Sequence, residues 1–325
     1  MSRFKLFATA ILVGSLPIHA LAAPEQTLNV GLVGGTQAPE VISMQQFAEE
    51  VASETNGRIE VRVQSGGALG GDREVIEGVQ LGTVDMAVPS TSVVANFVPD
   101  LKIFDIPFLF RDFDHADAVL QGPIGQEILD KIPEQGFVGL AYGGMGFRQL
   151  TNNELPVKNA DDVEGLKIRT QQNEMHIDVW SELDVLPTPM AIPEVYTALQ
   201  QGVVDGQENP VGAIINNRFD EVQEYISMTD HAFTPLVVLI SPSVWGGLAE
   251  ADQQILKTAA ENAMARNREE VEETLKSGLD TLREQGMTVI NDVDKASFRN
   301  QLDDLYSQYA DEFGADRLQA IEDTK

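Results

Sequence analysis

The chain has 325 residues, 43% of them hydrophobic, so it is long enough to build two lobes that each bury a core. Its formal net charge of −29 excludes the basic face that nucleic-acid binding needs, and it disfavours binding to anionic membrane surfaces. The absence of cysteine excludes disulfides and thiolate chemistry.

The N-terminus has the pattern of a cleaved export signal. Arg3 and Lys5 precede an apolar stretch over residues 6–16, which is too short to span a bilayer, and the Ala-Leu-Ala run ending at Ala22 fits the small-x-small cleavage rule. We therefore predict a signal peptide over residues 1–22 and a periplasmic mature protein. The signal carries two of the 22 basic residues and none of the 51 acidic ones, so the mature net charge is 20 minus 51, or −31.

Short strand-like runs alternate with helical stretches along the chain. The predicted strands are 28–33, 58–63, 84–88, 138–142, 166–169, 203–205 and 236–240. The predicted helices between them are 39–55, 73–81, 173–183 and 193–201. This alternation predicts an α/β protein with mainly parallel sheets.

The longest predicted element is a helix over residues 249–285. The segment has no proline, a single glycine, and apolar residues at helical spacing. At 1.5 Å per residue it would be about 55 Å long, which exceeds one small lobe, so we expect it to span two. Because no low-complexity linker separates the lobes, several chain crossings between them are expected.

Two arginines are candidates for binding an anion. Arg169 ends a predicted strand, and the carboxyl ends of strands are where open α/β sheets form ligand crevices. Arg148 lies in a mixed polar and apolar run over residues 146–151. A guanidinium group can hold a carboxylate through two parallel charge-assisted hydrogen bonds. Taken alone, each arginine is more often part of a structural ion pair, because 51 carboxylates offer partners.

The polar segment 205–210 is also distinctive. It follows a predicted strand and ends in a proline, and Gly206 permits a tight turn. Asn209 can both donate and accept hydrogen bonds, which suits a ligand with carboxylate and hydroxyl groups. The alternative interpretation is a solvated turn.

Signals for an enzyme are weak, so we predict a protein that is not an enzyme and needs neither cofactor nor metal. No two of the four histidines have metal-ligand spacing, and there is no Gly-x-Ser-x-Gly motif. The alternative, an exported enzyme that processes sugar acids, would need a positioned base. His176 and Glu194 are the nearest candidates, and the sequence shows no partner for either.

The most specific pattern in the chain lies in the segments 165–169, 187–190, 194–202 and 204–210. Together with 69–73, 80–85 and 106–110 they resemble the DctP-type solute-binding proteins of tripartite ATP-independent periplasmic (TRAP) transporters. The resemblance covers nearly the whole mature chain.

This resemblance implies a two-lobed periplasmic binding protein with hinge strands and a long helix, 249–285, that spans both lobes. Residues 23–145 and 236–270 would form lobe I, and residues 146–235 and 271–325 lobe II. It also implies a monomer that captures a small organic carboxylate by hinge closure and delivers it to the TRAP membrane permease subunits. A ligand-binding protein for a membrane sensor stays open as an alternative.

The resemblance also implies a set of ligand-binding residues. The arginine matching Arg169 clamps the substrate carboxylate, the one matching Arg148 assists, and the asparagine matching Asn209 hydrogen-bonds the ligand. Asp72 matches a position near the pocket of sialic-acid-binding members.

Three positions depart from those sialic-acid-binding members. Ser90 stands where they have Glu, Gln172 where they have Asn, and Ile192 where they have Phe. These departures argue against sialic acid. Small polar side chains at 90 and 91, with Gln172, suit a ligand with hydroxyl groups, so we expect a sugar acid such as a hexuronate first and a C4 dicarboxylate second.

Overall fold

The computed structural model describes residues 23–325, so the predicted signal peptide lies outside the described residues. Among residues 23–325, no helix combines the length and the hydropathy needed to cross a membrane.

Strands and helices alternate through the described chain, which confirms the α/β class. Within residues 23–325 the strands are β1 (Gln26–Gly31), β2 (Ile59–Gln64), β3 (Met86–Ala87), β4 (Val138–Asn152), β5 (Lys167–Thr170), β6 (Leu186–Pro189), β7 (Gly206–Pro210), β8 (Tyr225–Ser227), β9 (Phe233–Ile240) and β10 (Thr288–Ile290). The α-helices of the same residues are α1 (Pro39–Glu54), α2 (Asp72–Leu81), α3 (Thr91–Val94), α4 (Phe113–Gln121), α5 (Pro123–Lys131), α6 (Glu174–Glu182), α7 (Ile192–Gln200), α8 (Val211–Asn216), α9 (Pro242–Gly247), α10 (Glu250–Glu284), α11 (Lys295–Gln301), α12 (Asp303–Phe313) and α13 (Ala315–Glu322).

The strands form one continuous sheet in the order β2-β1-β3-β9-β4-β7-β5-β6, with β8 also paired to β4 and β10 paired to β8. The outer pairs are parallel, but β4 runs antiparallel to β7, β8 and β9. The sheet is therefore mixed rather than mainly parallel, because its two longest strands lie antiparallel at its centre.

Strand β4 joins the two lobes. Its first half pairs with β9 in the first lobe, which holds β1 to β3, and its second half pairs with β7 and β8 in the second lobe, which holds β5 to β8 and β10. The register of β4 against β9 shifts between Gly144 and Gly146, and Gly146 has a φ of +101° that favours glycine. This break lies where the chain passes between the lobes, as expected for a hinge strand.

The predicted strand at 203–205 is wrong, and the polar segment 205–210, for which a solvated turn was the alternative to a ligand-binding role, contains strand β7. All five residues of β7 are buried, because β7 pairs with β4 on one side and β5 on the other. Its polar groups are satisfied inside the sheet: Gln207 Nε2 donates to Thr151 Oγ1 at 2.9 Å, and Asn209 Nδ2 donates to Gln207 Oε1 at 2.5 Å. A strand without apolar residues gives no hydrophobic signal in the sequence.

Helix α10 contributes to the cores of both lobes. Ala260 and Met264 pack in the core of the first lobe with residues of β1 and α1. Leu282, near the other end of α10, packs in the core formed with α7 and α8. Its 35 residues correspond to about 52 Å, and the prediction of a long helix that spans both lobes is confirmed.

The three C-terminal helices pack across the junction of the lobes. Tyr306 donates to Pro107 O at 3.0 Å, and a ring nitrogen of His115 lies 2.8 Å from Ile321 O. Ala160 N donates to Ser297 Oγ at 2.9 Å on the other side. The lobe boundaries implied by the resemblance stay a prediction.

Candidate functional site

A cleft lies between the lobes, with a volume of about 960 Å³ when the open solvent space at its entrance is included. Its first wall is formed by the starts of α1 and α2 and the residue before α3, and its second by the end of β5 and the starts of α7 and α8. The middle of α10 forms part of its lining. All the binding residues named from the sequence line this cleft: Asp72, Ser90, Arg148, Arg169, Gln172 and Asn209. Their roles toward a ligand stay predictions.

Arg169 is buried at the end of β5, with 3% of its surface exposed. Its Nε and Nη2 donate to the backbone oxygen of Met190, at 3.0 and 2.6 Å, while Nη1 has no partner among the described residues. No carboxylate of the described chain lies within salt-bridge distance of it. Burial lowers the pKa of Arg169 to about 10, so the group is still a cation at neutral pH. One edge of this guanidinium is therefore held by the protein and another is free.

Arg148 is paired with a protein carboxylate. It is 1% exposed on β4, and its Nε and Nη2 donate to the carboxylate of Glu208 on β7. Nη1 donates to Thr234 Oγ1 at 2.8 Å, and Nη2 donates to Asn209 Oδ1 at 3.2 Å. The structural ion pair considered in the sequence analysis is therefore present. Arg148 also positions Asn209, and a direct contact with a ligand stays a prediction.

Glu208 is the centre of a buried polar network beneath the cleft. A ring nitrogen of His231 lies 3.0 Å from its carboxylate, and His176 lies between Glu208, at 3.9 Å, and Asp105, at 3.8 Å. Burial alone would raise the pKa of Glu208, but the Arg148 guanidinium and the two histidines hold it well below its usual range. Glu208 is therefore ionised and its charge is matched by Arg148.

The pKa values of the two histidines are shifted in opposite directions. Burial lowers the pKa of His231, so at neutral pH the ring is neutral and donates from Nε2 to Glu208, while Nδ1 accepts from Thr229. Burial would also lower the pKa of His176, but Asp105 and Glu208 outweigh it and the pKa is raised. The charged form of His176 is thus favoured by the two buried carboxylates beside it.

Side chains from the start of α6 connect the network to the first lobe. Asn173 Nδ2 donates to Ser92 O at 2.6 Å and to Asp105 Oδ2 at 3.0 Å. Ser92 Oγ donates to the other oxygen of Asp105. Ser90 Oγ accepts from Ser92 N at 3.2 Å and caps α3, which leaves the Ser90 hydroxyl hydrogen as the group it can offer to the cleft.

Two buried polar residues of the cleft were missed from the sequence. Gln171 is 6% exposed, and its Nε2 has no partner among the described residues. Period-two alternation places Gln171 on the same side of the chain as Arg169, and this signal would have identified it. The predicted Gln172 is less buried, and its backbone oxygen accepts from Asn96 at 2.8 Å. Glu40, at the start of α1, is the second missed residue.

Glu40 and Asp72 place two carboxyl groups on the first wall. Glu40 is 5% exposed, and burial raises its pKa to about 7, with the negative charge of Asp72 adding to the shift. Burial raises the pKa of Asp72 to about 7 as well, where Glu74 adds to the shift and Arg169 opposes it. At neutral pH each carboxyl group is close to half-protonated.

We expect Glu40→Gln to raise the free energy of unfolding of the ligand-free protein, relative to wild type, by about 1–3 kcal/mol more at pH 8 than at pH 4.5. The folded-state pKa of Glu40 is raised from 4.5 to about 7, so the folded protein binds the proton more tightly and loses stability as the pH rises through this window. Glutamine removes that loss. Melting temperatures between pH 4.5 and 8 measure the effect, with Glu49→Gln on the exposed side of α1 as the matched control. Parallel pH profiles for wild type and Glu40→Gln would contradict the assignment.

The two residues considered for an enzyme do not face the cleft. His176 is buried between two carboxylates, so it has the partners that the sequence did not show. Glu194 is exposed on α7 and outside the cleft lining. Within residues 23–325, no group of three or more His, Asp or Glu side chains has the arrangement of a metal site.

Comparison with known proteins agrees with this architecture. A model of the DctP family, described as bacterial extracellular solute-binding protein, family 7, matches residues 30–312. A solute-binding protein of Verminephrobacter eiseniae is 42% identical over 302 residues, which cover 93% of this chain and 90% of that protein.

Two solved structures of TRAP periplasmic solute-binding proteins are also 42% identical. The protein from Polaromonas, bound to D-erythronate, superposes with a TM-score of 0.91. The protein from Bordetella, whose ligand density was interpreted as pantoate, superposes with a TM-score of 0.90. Each comparison covers 92% of this chain and 99% of the other.

Proposed function

The chain belongs to the DctP family of bacterial extracellular solute-binding proteins, family 7, and from this membership we propose that its cleft captures a sugar acid and delivers it to a TRAP permease in the membrane. The protein is a solute-binding protein of the two-lobed TRAP type. We propose three further points: that the ligand is a sugar acid, that the membrane partner is a TRAP permease, and that the protein binds the ligand without changing it chemically.

The observation that carries the proposal is the free edge of Arg169. A buried guanidinium with an unpartnered Nη1 in a cleft is costly unless an anion completes it. A ligand carboxylate would accept from Nη1 and from the remaining hydrogen of Nη2, while Met190 O keeps the group oriented. Asn209 and Gln171 line the same cleft and would add hydrogen bonds to the ligand.

The class of ligand follows from the relatives and from the polar lining. D-erythronate and pantoate, the ligands of the two similar structures, each carry one carboxylate and at least one hydroxyl group. Ser90, Gln171 and Gln172 supply side chains that can hydrogen-bond hydroxyl groups. A sugar acid, whether a hexuronate or a shorter aldonate, is therefore the favoured class, ahead of a C4 dicarboxylate.

Capture works by closure of the lobes. The ligand carboxylate binds Arg169 from the second lobe, and groups of the first lobe then close over the rest of the ligand while water leaves. The lower local dielectric strengthens the ion pair, and the desolvation of both charges opposes it. Because a ligand shifts the equilibrium only by binding the closed form more tightly, the closed form is the one that the permease would recognise.

A thermal-shift screen of organic acids tests the proposal. A ligand at 100 times its dissociation constant stabilises the folded protein by about 2.7 kcal/mol, which raises the melting temperature. Sugar acids should give the largest shifts and should be recovered chemically unchanged after long incubation. A folded protein that responds to no organic acid would refute the proposal, and recovery of an altered acid would favour an enzyme.

Salt should speed ligand capture while leaving the bound state nearly unchanged. Residues 23–325 carry 20 basic and 51 acidic side chains, a net charge of 20 minus 51, or −31, which repels an approaching anion. Screening acts over about 8–10 Å at ordinary ionic strength, so added salt weakens this repulsion. Stopped-flow measurements between low and high salt should show a severalfold increase in the association rate constant and little change in dissociation. A constant or falling association rate would contradict the expectation.

A further inference from the structure

The two walls of the cleft carry opposite charges. Arg169, which has no carboxylate partner among the described residues, belongs to the second lobe, while Glu40 and Asp72 belong to the first. A ligand held by its carboxylate at Arg169 therefore presents its other end to a wall of carboxyl groups. The buried atoms Arg169 Nη1 and Gln171 Nε2, which have no partners among the described residues, show that this space is built for a polar occupant.

The absence of a side chain at Gly34 leaves space for the Glu40 carboxyl group. A Cβ atom added at Gly34 would lie 2.0 Å from Glu40 Oε1 and 2.9 Å from the Cβ of Ala38. Any side chain at position 34 would therefore displace the Glu40 carboxyl group. A glycine after β1 lets this carboxyl group lie in the cleft lining.

We propose that Glu40, together with Asp72, is a specificity-determining residue that accepts hydrogen bonds from ligand hydroxyl groups and excludes a second ligand carboxylate. The inference rests on the proposed function, because it assumes that a ligand carboxylate binds Arg169. It makes the ligand a monocarboxylic acid with hydroxyl groups at its far end and removes C4 dicarboxylates from the candidates.

The physical reason is the difference between a hydroxyl group and a carboxylate as the partner of an acidic wall. An alcohol O–H donates to a carboxylate oxygen and carries no charge. A second ligand carboxylate has no hydrogen to donate at neutral pH, and it brings a negative charge against Glu40 and Asp72 in a poorly hydrated space. A site built to hydrogen-bond a hydroxyl group rejects an analogue that lacks it, because the protein groups are then left unpaired.

The acidic wall has a definite charge environment. Asp72 is the charged group that acts on Glu40, and Glu74 and Arg169 act on Asp72. Because the pKa values of both carboxyl groups are raised to about 7, the wall gains negative charge between pH 6 and pH 8. Rejection of a dicarboxylate should therefore become stronger over this interval.

Calorimetry with D-erythronate and succinate tests the inference, because both are four-carbon acids. D-erythronate ends in a hydroxyl group where succinate has its second carboxylate, and it also carries hydroxyl groups on C2 and C3 that succinate lacks. At pH 8 the wild-type protein should bind D-erythronate at least 100-fold more tightly than succinate. Glu40→Gln should lower this ratio at least 10-fold, through weaker binding of D-erythronate and tighter binding of succinate. Glu49→Gln removes the same charge from the exposed side of α1 and should change the ratio less than twofold.

The pH dependence gives an independent measurement. The wild-type ratio should rise severalfold from pH 6 to pH 8, and Glu40→Gln should flatten this rise. The titration of the ligands is common to both proteins and cancels in the comparison. If Glu40→Gln fails to fold, Asp72→Asn takes its place.

Equal binding of both probes by the wild type, or a ratio unchanged in a folded Glu40→Gln protein that still binds acids, would overturn the inference alone. Binding of neither probe also overturns it. The thermal-shift screen then tests the proposed function independently. Stabilisation of the wild type by any other organic acid would support it, and the absence of any stabilisation would refute it.

Discussion

Replacing Arg169 with Lys should weaken binding of the sugar acid about 100-fold, or about 2.7 kcal/mol, while the protein stays folded. A lysine ammonium group is a point charge and cannot donate to Met190 O and hold both carboxylate oxygens of a ligand at once. The fold should persist because Arg169 has no salt-bridge partner among the described residues. Titration calorimetry with D-erythronate or another acid found by the thermal-shift screen measures the loss.

Arg62→Lys is the matched control for this prediction. Arg62 lies on β2 and pairs with Glu60 at an exposed position, so the same chemical change there should leave ligand affinity within about twofold. Affinity of Arg169→Lys within threefold of wild type would remove Arg169 as the group that holds the ligand carboxylate. A loss of the folded state in Arg169→Lys would show that Met190 O, rather than a ligand, is its main partner.

Replacing Glu208 with Gln should destabilise the protein by about 3–5 kcal/mol. The change keeps the shape of the side chain but removes the negative charge, so the buried Arg148 loses its counter-ion. His231 also loses a charged acceptor at 3.0 Å. Urea denaturation measures the effect, and the fluorescence of Trp180 is a local probe because its ring packs against His231 at 5.1 Å between centroids.

Two further variants separate the ion pair from general effects. Glu221→Gln breaks an exposed ion pair with Arg218 and should shift the urea midpoint only slightly. Arg148→Met combined with Glu208→Gln should recover part of the lost stability, because no uncompensated charge is then left in the interior. A Glu208→Gln midpoint equal to that of Glu221→Gln would show that Arg148 does not depend on this partner.

The network beneath the cleft also bears on ligand binding. Nη2 of Arg148 donates to Asn209 Oδ1, so a substitution at Glu208 should change the position of Asn209 in the cleft as well as lower the stability of the protein. Arg148 and Asn209 thus act together, the first as a positioning residue for the second. This coupling arises because β4 and β7 are adjacent strands that pair Gln149 with Asn209.

The local pattern of the chain was sufficient for the α/β class, the long helix and the position of Arg169. Apolar spacing over many residues identifies a helix such as α10, since a long periodic signal is difficult to produce by chance. The carboxyl end of a strand identifies a crevice, because parallel strands end at the same edge of a sheet. Arg169 lies in the cleft for that reason.

Only the tertiary structure decided which partners the polar residues have. β7 is a strand because β4 and β5 flank it. Arg148 forms an ion pair with Glu208 because β4 and β7 are paired. Glu40 and Asp72 line the same wall because the starts of α1 and α2 converge on one cleft, and the charge of Asp72 therefore acts on Glu40. Backbone periodicity depends on neighbours a few residues away, whereas ion pairs and raised pKa values depend on groups brought together from distant parts of the chain, and no local pattern records those distances.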